Sequence, residues 1–277
     1  MATQLLIIDP QNDFCDLPPE RCPPGEAPAL PVAGAHADLQ RLARFIDAAG
    51  DALDAITVTL DSHLRLDIAH PGFWYAVQGA AGAAVPPFTP ITAAQVRAGQ
   101  FRPRDAGALP RTLAYLDELE RRGRYTLMVW PVHGEIGSWG QAVHADVRAA
   151  YNRWEERRHR HVRRVHKGSN PWTEHYSALM AEVPDAADAG TQLNRALLDA
   201  LAPASRLLVA GEASSHCVRA TVEDLTEHLG GDLARIVLLT DCMSPVAGFE
   251  PQAAAFLEAM RTLGLRTLTS SEALALL

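Results

Sequence analysis

Three residues that lie far apart in the sequence have side chains suited to covalent catalysis. Asp9 follows the apolar segment Leu5 to Ile8, Lys167 shortly follows Val162 to Val165, and Cys217 opens a segment with helical periodicity. A thiolate at a helix start is stabilised by the helix dipole and the free backbone N–H groups, and a nearby ammonium stabilises it further. We therefore predict a lowered pKa for the Cys217 thiol, with Asp9 taking its proton and passing it to a leaving amine.

The position of Cys217 alone fits an inert thiol equally well, because a cysteine at a helix start often packs as a small hydrophobic residue. That interpretation is stronger for Cys15, Cys22 and Cys242, which have no base and cation placed around them. Lys167 is the sole lysine among 25 basic residues, the others all being arginine. A compact ammonium fits beside a thiolate where a planar guanidinium would crowd it.

A second set of residues has the chemistry of a metal site. Asp61 and His63 follow the apolar segment Ala55 to Leu60, and their spacing puts both side chains on the same side of an extended chain. His133 follows the next apolar segment, and His70 is an additional candidate ligand. Two imidazoles and one carboxylate suit Zn²⁺, Fe²⁺ or Mn²⁺ and leave positions open for water or substrate. Each histidine taken singly fits a structural role as well.

The elements that must position these residues are short apolar segments alternating with amphipathic segments. This alternation is typical of a parallel sheet covered by helices on both faces, and in such sheets ligands bind beyond the carboxyl ends of the strands. We predict one doubly wound αβα domain over residues 1–277 with a mostly parallel six-stranded sheet. The predicted strands are Leu5 to Ile8, Ala55 to Leu60, Tyr125 to Trp130, Val162 to Val165, Arg206 to Ala210 and Ile236 to Thr240, with a weaker seventh near Leu265 to Leu268. The predicted helices are Ala35 to Ala49, Leu109 to Arg122, Gly140 to His159, Thr191 to Leu201, Cys217 to Leu229 and Pro251 to Leu263.

Three segments depart from this alternation. Leu17 to Pro31 carries six prolines and is predicted to be a loop. The segment at about 72–111 is rich in Gly, Ala and Pro, with several aromatic residues, and is predicted to be a long loop insertion that forms a lid or an interface. Arg153 to Lys167 is strongly basic, which favours a solvated helix end or an oligomer interface over a nucleic-acid site.

Composition narrows the class of protein. The 277 residues are 48% hydrophobic and 21% charged, enough apolar content to bury a core, and the net charge of −8 argues against nucleic-acid or anionic-membrane partners. No apolar stretch approaches the roughly 20 residues of a membrane span, and the N-terminus has no basic region typical of a signal peptide. The four scattered cysteines do not form a disulfide framework. We expect a cytoplasmic protein with reduced thiols.

With these residues identified, the chain resembles the nicotinamidases of the isochorismatase-like cysteine hydrolases over nearly its full length. All five motif blocks occur in the order of the family and at predicted strand ends. The blocks are Leu-Ile-Ile-Asp9-Pro-Gln-Asn-Asp-Phe14, Thr-Leu-Asp61-Ser-His63, Trp130-Pro-Val-His133 followed by Gly-Glu-Ile-Gly-Ser, His-Lys167-Gly-Ser-Asn followed by Tyr176-Ser-Ala, and Gly211-Glu-Ala-Ser-Ser-His-Cys217-Val.

The resemblance implies a catalytic triad of Asp9, Lys167 and Cys217. It also implies an oxyanion hole made by the backbone N–H groups of Ala213 and Cys217, with a cis peptide bond between Glu212 and Ala213. The expected reaction is hydrolysis of nicotinamide to nicotinate and ammonia through a cysteine thioester, a step of NAD salvage.

The resemblance further implies a divalent metal held by Asp61, His63 and His133, with Zn²⁺ expected first and Fe²⁺ or Mn²⁺ as alternatives. Phe14 and Trp130 are expected to wall a pocket for the substrate ring, whose nitrogen the metal would hold. The expected partners are a small carboxamide substrate and further copies of the chain in a homo-oligomer.

Three rival functions remain open from the sequence. A related hydrolase could act on another small amide or carbamoyl group, because the 72–111 insertion is longer than in compact members of the family. A catalytically silent metal-binding or scaffold protein is the alternative from another class. The third rival is a dinucleotide-binding dehydrogenase. The sequence argues against this interpretation, because Asp9-Pro-Gln-Asn stands where a G-x-G-x-x-G turn would follow the first strand.

Overall fold

The computed structural model describes residues 2–77 and 82–277. The strands are β1 (Thr3–Ile8), β2 (Ala55–Asp61), β3 (Trp74–Ala76), β4 (Thr89–Ile91), β5 (Phe101–Pro103), β6 (Leu127–Val129), β7 (Arg163–Lys167), β8 (Arg206–Gly211), β9 (Ile236–Leu239) and β10 (Arg266–Leu268). The helices are α1 (Ala35–Ala49), α2 (Ala93–Arg97), α3 (Leu109–Arg122), α4 (Ala145–Arg158), α5 (Arg195–Leu201), α6 (Cys217–His228), α7 (Glu250–Thr262) and α8 (Ser270–Leu274).

A six-stranded sheet in the order β10-β9-β8-β1-β2-β7 forms the centre, and every neighbouring pair is parallel. β1 is buried along its whole length because its side chains alternate between two hydrophobic cores, one on each face of the sheet. Leu6 and Ile8 pack with α3, α5, α6 and α7, whereas Leu5 and Ile7 pack with α1, α4 and α8. Burial on both faces explains the continuous apolar run, and the αβα prediction is confirmed.

The predicted strand Tyr125 to Trp130 exists as β6 but does not join the central sheet. It pairs antiparallel with β4, and the edge of β2 is occupied by β7 instead. The weak predicted strand near Leu265 is β10, which completes the six. Local apolar pattern indicated that β6 is a strand, but its partner lies in the insertion, where no strand was predicted.

Two predicted helices begin later than expected. α4 starts at Ala145 rather than Gly140, because the chain before it lies against the loop that follows β1. Asn12 N–H donates to the Ala142 carbonyl, and a Cβ on Gly140 would lie 2.2 Å from the Asp13 carboxylate. α5 starts at Arg195 rather than Thr191, with the Asn194 side chain accepting the Leu197 N–H as its cap.

The segment predicted as a long loop at about 72–111 is instead built from short elements. β3 pairs antiparallel with β5, and α2 begins with a capping box between Thr92 and Gln95. Trp74, Ile91 and Val96 are buried in the same core as one face of the central sheet. Residues 78–81 of this segment lie outside the described residues. The described part of this segment therefore consists of short elements rather than one long loop, and its role as a lid or an interface stays a prediction.

Part of the basic stretch Arg153 to Lys167 forms ion pairs in the second half of α4. Arg153 pairs with Asp47 at 2.7 Å and Arg157 with Asp51 at 3.4 Å, both near the end of α1. The proline-rich segment Leu17 to Pro31 contains only a short 3-10 turn and is a loop, as predicted. Across residues 2–77 and 82–277, no helix has the length and apolarity needed to cross a membrane.

Candidate active site

Four of the predicted site residues lie at one edge of the sheet, beyond the ends of four adjacent strands. Asp9 directly follows β1, Asp61 ends β2, and Lys167 ends β7. Cys217 is the first residue of α6, which begins six residues after β8. Because β8, β1, β2 and β7 are neighbours and parallel, their carboxyl ends lie side by side. Residues from four distant parts of the sequence therefore converge there.

The Lys167 ammonium lies at the centre of this cluster. Its Nζ is 3.0 Å from Asp9 Oδ2, 3.1 Å from Asp61 Oδ1 and 3.6 Å from Cys217 Sγ, and it donates to the His175 carbonyl at 2.9 Å. None of these four acidic, basic and thiol side chains belongs to an exposed residue. The three residues predicted as a triad are thus in direct contact around one cation.

A second hydrogen bond fixes the Asp9 carboxylate. The Thr59 hydroxyl donates to Asp9 Oδ1 at 2.5 Å and accepts the Asp9 backbone N–H at 3.0 Å. Asp9 itself has a left-handed backbone conformation with φ of 43°, which turns the chain away from the sheet. One carboxylate oxygen therefore binds Thr59 and the other faces Lys167.

The electrostatics correct one sequence prediction. Burial raises the pKa of the Cys217 thiol well above its ordinary value, and the Asp9 carboxylate adds to the rise, while Lys167 opposes it. Burial also raises the pKa of Asp9 against the opposing Lys167. Burial lowers the pKa of Lys167, but Asp61 and Asp9 outweigh it and hold that pKa well above its usual range. Burial of the start of α6 therefore outweighs Lys167 and the helix start, the two features from which a lowered pKa was predicted.

The predicted metal ligands also lie together. Asp61 Oδ1 is 3.2 Å from His63 Nε2, and Asp61 Oδ2 is 3.6 Å from His133 Nε2. The three ligand atoms of this group all lie within 4.8 Å of one another. His63 Nε2 is completely buried yet makes no hydrogen bond, as expected of a nitrogen whose lone pair is directed at a cation. The donor set and this orphaned nitrogen fit a divalent metal.

Hydrogen bonds behind the two histidines fix their ring orientation. His63 Nδ1 lies 3.2 Å from Asp67 Oδ2, and His133 Nδ1 lies 2.8 Å from the Pro131 carbonyl. Such outer partners hold the opposite ring nitrogen toward a metal. Asp67 was not among the predicted site residues, although its position four residues after His63 was a usable signal.

His70 lies beside this group without joining its compact set of ligand atoms. Its ring centroid is 5.1 Å from that of His63 and 5.2 Å from that of His133. Both of its ring nitrogens are buried without a hydrogen bond, and burial lowers its pKa to about 3. His70 is therefore a neutral imidazole next to the site, and its role as a ligand stays a prediction.

A cavity that is partly open to solvent lies beside the cluster. Its walls include the predicted Phe14 and Trp130 together with Cys217. The other aromatic residues of the wall were not predicted. Tyr176, whose hydroxyl accepts the Trp130 indole N–H at 2.9 Å, stands within a quoted motif block, and His216 precedes Cys217. Leu30 and Val246 also line the cavity but come from loops without a sequence pattern.

The backbone before Cys217 has the form that the resemblance implied. The peptide bond between Glu212 and Ala213 is cis. Ala213 and Cys217 both line the cavity, and within the described residues neither backbone N–H donates a hydrogen bond. Two unpaired N–H groups at a cavity wall are suited to bind a developing oxyanion.

Comparisons with known proteins find likeness in structure but not in sequence. No model of a known protein family matches the chain, and no curated protein matches it in sequence. Among solved structures, the yeast nicotinamidase Pnc1p bound to the inhibitor nicotinaldehyde is 18% identical with a TM-score of 0.62, covering 96% of this chain and 99% of that one.

Two further structures are similar over the same extent. PnC1 from L. infantum in complex with nicotinate is 21% identical with a TM-score of 0.57, covering 98% of this chain and 93% of that one. The pyrazinamidase of Pyrococcus horikoshii in complex with zinc is 18% identical with a TM-score of 0.54, covering 97% and 99%. The chain therefore has the fold of these nicotinamidases and pyrazinamidases.

Proposed function

We propose that the chain is a metal-dependent cysteine amidohydrolase that converts nicotinamide to nicotinate and ammonia. The observation that carries this proposal is the contact of Lys167 with both Asp9 and Cys217 at a cavity whose walls include the aromatic rings of Phe14 and Trp130. The fold supports it, because the solved proteins with this fold include one bound to nicotinaldehyde and one in complex with nicotinate.

The side chains divide the reaction between them. Asp9 takes the proton of the Cys217 thiol, and the thiolate attacks the carboxamide carbon while Lys167 stabilises the negative charge. The N–H groups of Ala213 and Cys217 bind the oxyanion of the tetrahedral intermediate. Asp9 then gives this proton to the amide nitrogen, the C–N bond breaks, and the nitrogen departs as ammonia, which leaves a thioester on Cys217. Water, deprotonated by Asp9, hydrolyses the thioester to the acid and frees the thiol.

The residues that would hold a divalent metal are Asp61, His63 and His133, with His70 as a further candidate. Zn²⁺ is the first expectation, with Fe²⁺ and Mn²⁺ as alternatives, because one carboxylate and imidazoles suit all three. The zinc complex of the pyrazinamidase with the same fold supports this choice. When bound, the cation supplies a coordination position for the ring nitrogen of the substrate. Metal analysis of the purified protein and of His133→Ala tests the ligand set, with less metal expected in the variant.

A second candidate function is hydrolysis of another small amide or carbamoyl group. Phe88, which belongs to the segment at 72–111, packs its ring edge against Trp130 at 5.8 Å between centroids. Phe88 does not line the cavity itself but contacts a residue of its wall. The segment at 72–111 therefore offers a way to shape the pocket for another amide.

Assays of ammonia release from nicotinamide and from a panel of carboxamides separate these functions. We expect release from nicotinamide by the wild type and none above background by Cys217→Ala. Activity on another amide alone would assign the second candidate. Absence of release from every amide, by protein shown to hold its metal, would favour a silent metal-binding protein.

Cellular setting and assembly belong to the same proposal. We place the chain in the cytoplasm as an enzyme of NAD salvage, which agrees with its four free cysteines. We also propose a homo-oligomer, in which the exposed side chains of Leu66 and Ile136 are candidates for contact between copies of the chain. Light scattering during size-exclusion chromatography tests the assembly, and a single-chain mass would contradict it.

A further inference from the structure

The loop that carries the nucleophile is joined to the segment after β9 by a set of hydrogen bonds. We call Gly211 to His216 the nucleophile loop. The bonds are Gly211 N–H to the Cys242 carbonyl at 2.9 Å, Ser214 N–H to the Ser244 carbonyl at 2.9 Å, Ser244 N–H to Glu212 Oε2 at 3.1 Å, and Val246 N–H to the Ser215 hydroxyl at 3.1 Å. One of these bonds uses a carboxyl side chain, that of Glu212.

Ser244 binds both residues that flank Ala213. Its carbonyl accepts from the Ser214 backbone N–H and its N–H donates to the Glu212 side chain, so the peptide group after Ala213 and the carboxyl before it are bonded to one residue. The Ser244 hydroxyl in turn donates to Asp38 Oδ2 on α1 at 2.5 Å. A Cβ on Gly34 would lie 2.9 Å from that hydroxyl, so glycine at position 34 leaves the space that the Ser244 side chain occupies.

Burial of the Glu212 carboxyl group at this position costs free energy. It is completely buried, and its Oε1 has no hydrogen-bond partner. The ionisable groups that face it are Asp38 and Arg41 on α1 and Asp16 and Cys15 in the loop after β1. An aliphatic side chain would fill the space without the cost of burying a carboxyl group. The carboxyl therefore does something that packing alone does not require.

We propose that Glu212 is a positioning residue for the oxyanion hole. Its carboxyl bond to Ser244, which Asp38 anchors, holds the Ala213 N–H at the cavity wall in the orientation that binds the oxyanion. This inference rests on the proposed function, in which Ala213 supplies one of the two donors. Misplacement of a donor by about 1 Å is enough to slow an enzyme about 100-fold.

The test compares Glu212→Ala, Glu212→Gln and Ser244→Ala with the wild type in the full chain. Ile46→Ala on α1 is the matched control. Ile46 is completely buried in the core that contains no residue of the nucleophile loop, so this substitution lowers the stability of the fold without removing a contact of that loop. We expect Glu212→Ala to lower kcat about 10- to 100-fold with little change in KM. Gln keeps an oxygen that can accept from Ser244, so Glu212→Gln is expected to remain within about 3-fold of the wild type. Ser244→Ala is expected between the two.

Amide hydrogen exchange supplies a readout that does not depend on activity. We expect exchange in the nucleophile loop to be at least about tenfold faster in Glu212→Ala than in the wild type or in Glu212→Gln. Unchanged kcat and unchanged exchange in Glu212→Ala would overturn the proposal, as would an equal loss of kcat in Glu212→Gln or in Ile46→Ala. A wild type that hydrolyses no amide would instead contradict the proposed function, and the exchange measurement would still decide whether Glu212 holds Ala213.

Discussion

Two neighbouring strands, β8 and β9, each lead to a buried cysteine at the same edge of the sheet. Cys217 lies 3.6 Å from the Lys167 ammonium and lines the cavity. Cys242 is completely buried, and its thiol lies 3.7 Å from the Asp241 carboxylate. Burial raises the pKa of both thiols, and nearby carboxylates add to the rise in both. The two sites therefore share burial and a raised pKa.

The difference lies in what surrounds each thiol. Cys217 has a buried cation to stabilise its thiolate, Asp9 to take its proton and a cavity from which a substrate can approach. Arg41, the cation that acts on the pKa of Cys242, already contacts Asp38, and Asp241 accepts hydrogen bonds from Ser270. Burial alone thus makes a thiol inert, and a cation, a base and access together make it a nucleophile.

The largest expected effect is loss of the nucleophile. Cys217→Ala is expected to lower kcat for ammonia release by at least about 10⁴-fold, because no other group in the site can form the thioester. Cys242→Ala is the matched control and is expected to keep kcat within about 3-fold of the wild type. Steady-state ammonia release at saturating amide checks both. Comparable losses in the two variants would end the distinction between the thiols.

The second effect tests the cation. Lys167→Arg keeps the charge but places a wider guanidinium where Nζ already has four partners within 3.6 Å. We expect kcat to fall about 100-fold through displacement of Cys217 and Asp9, with the fold retained. Kinetics together with circular dichroism measure this. An arginine variant as active as the wild type would show that the site does not need a compact ammonium.

The third effect concerns reactivity toward small reagents. Iodoacetamide is expected to alkylate Cys217 at least about tenfold faster than Cys242, because Cys217 has a base, a cation and an opening to solvent. Peptide mass spectrometry after timed labelling gives both rates in one sample. A nicotinamide-dependent decrease in the Cys217 rate is expected as well. Equal labelling of the two cysteines would favour the catalytically silent interpretation.

The smallest expected effect is a decrease in the free energy of unfolding that the Cys242 thiol causes at high pH. Burial and Asp241 raise the pKa of Cys242 in the folded chain, so above about pH 8.5 the unfolded thiol ionises while the folded one stays protonated. This thiol therefore makes the free energy of unfolding of the wild type fall with rising pH in that range, by up to about 1.4 kcal/mol per pH unit.

Cys242→Ala removes this cost. The stability difference between the wild type and the variant is expected to shift in favour of the variant from pH 8 to pH 10, as measured by urea unfolding. A constant difference across that range would show that Cys242 ionises as readily in the folded chain as in the unfolded one.

Much of the site was predictable because the carboxyl ends of parallel strands lie at the same edge of a sheet. The apolar run of β1 predicted a strand buried on both faces, and the strand-end rule then placed Asp9, Asp61, Lys167 and Cys217 at one edge. β6 was assigned to the wrong sheet, because local pattern does not specify which strand pairs with which. The pKa of Cys217 was predicted in the wrong direction, because the sequence shows a helix start but not its depth of burial.

The supporting contacts were beyond sequence reasoning for a different reason. Ser244 lies 32 residues from Glu212, and their bond exists only because β8 and β9 are adjacent. Leu30 and Val246 reach the cavity from loops whose paths depend on tertiary packing. The reacting side chains belong to motifs that the sequence shows. The residues that hold these side chains in position come together only in the folded chain.

The central claim, that Cys217 forms a covalent bond to the substrate carbonyl carbon, can be tested with an aldehyde analogue. Nicotinaldehyde carrying ¹³C at its carbonyl is added to the wild type, to Cys242→Ala and to Cys217→Ala, and carbon NMR follows the labelled atom. The account predicts that the signal moves to the position of a tetrahedral thiohemiacetal carbon in the wild type and in Cys242→Ala, and remains that of free aldehyde and its hydrate in Cys217→Ala. A thiohemiacetal signal that persists in Cys217→Ala, or that never forms in the wild type, would contradict it.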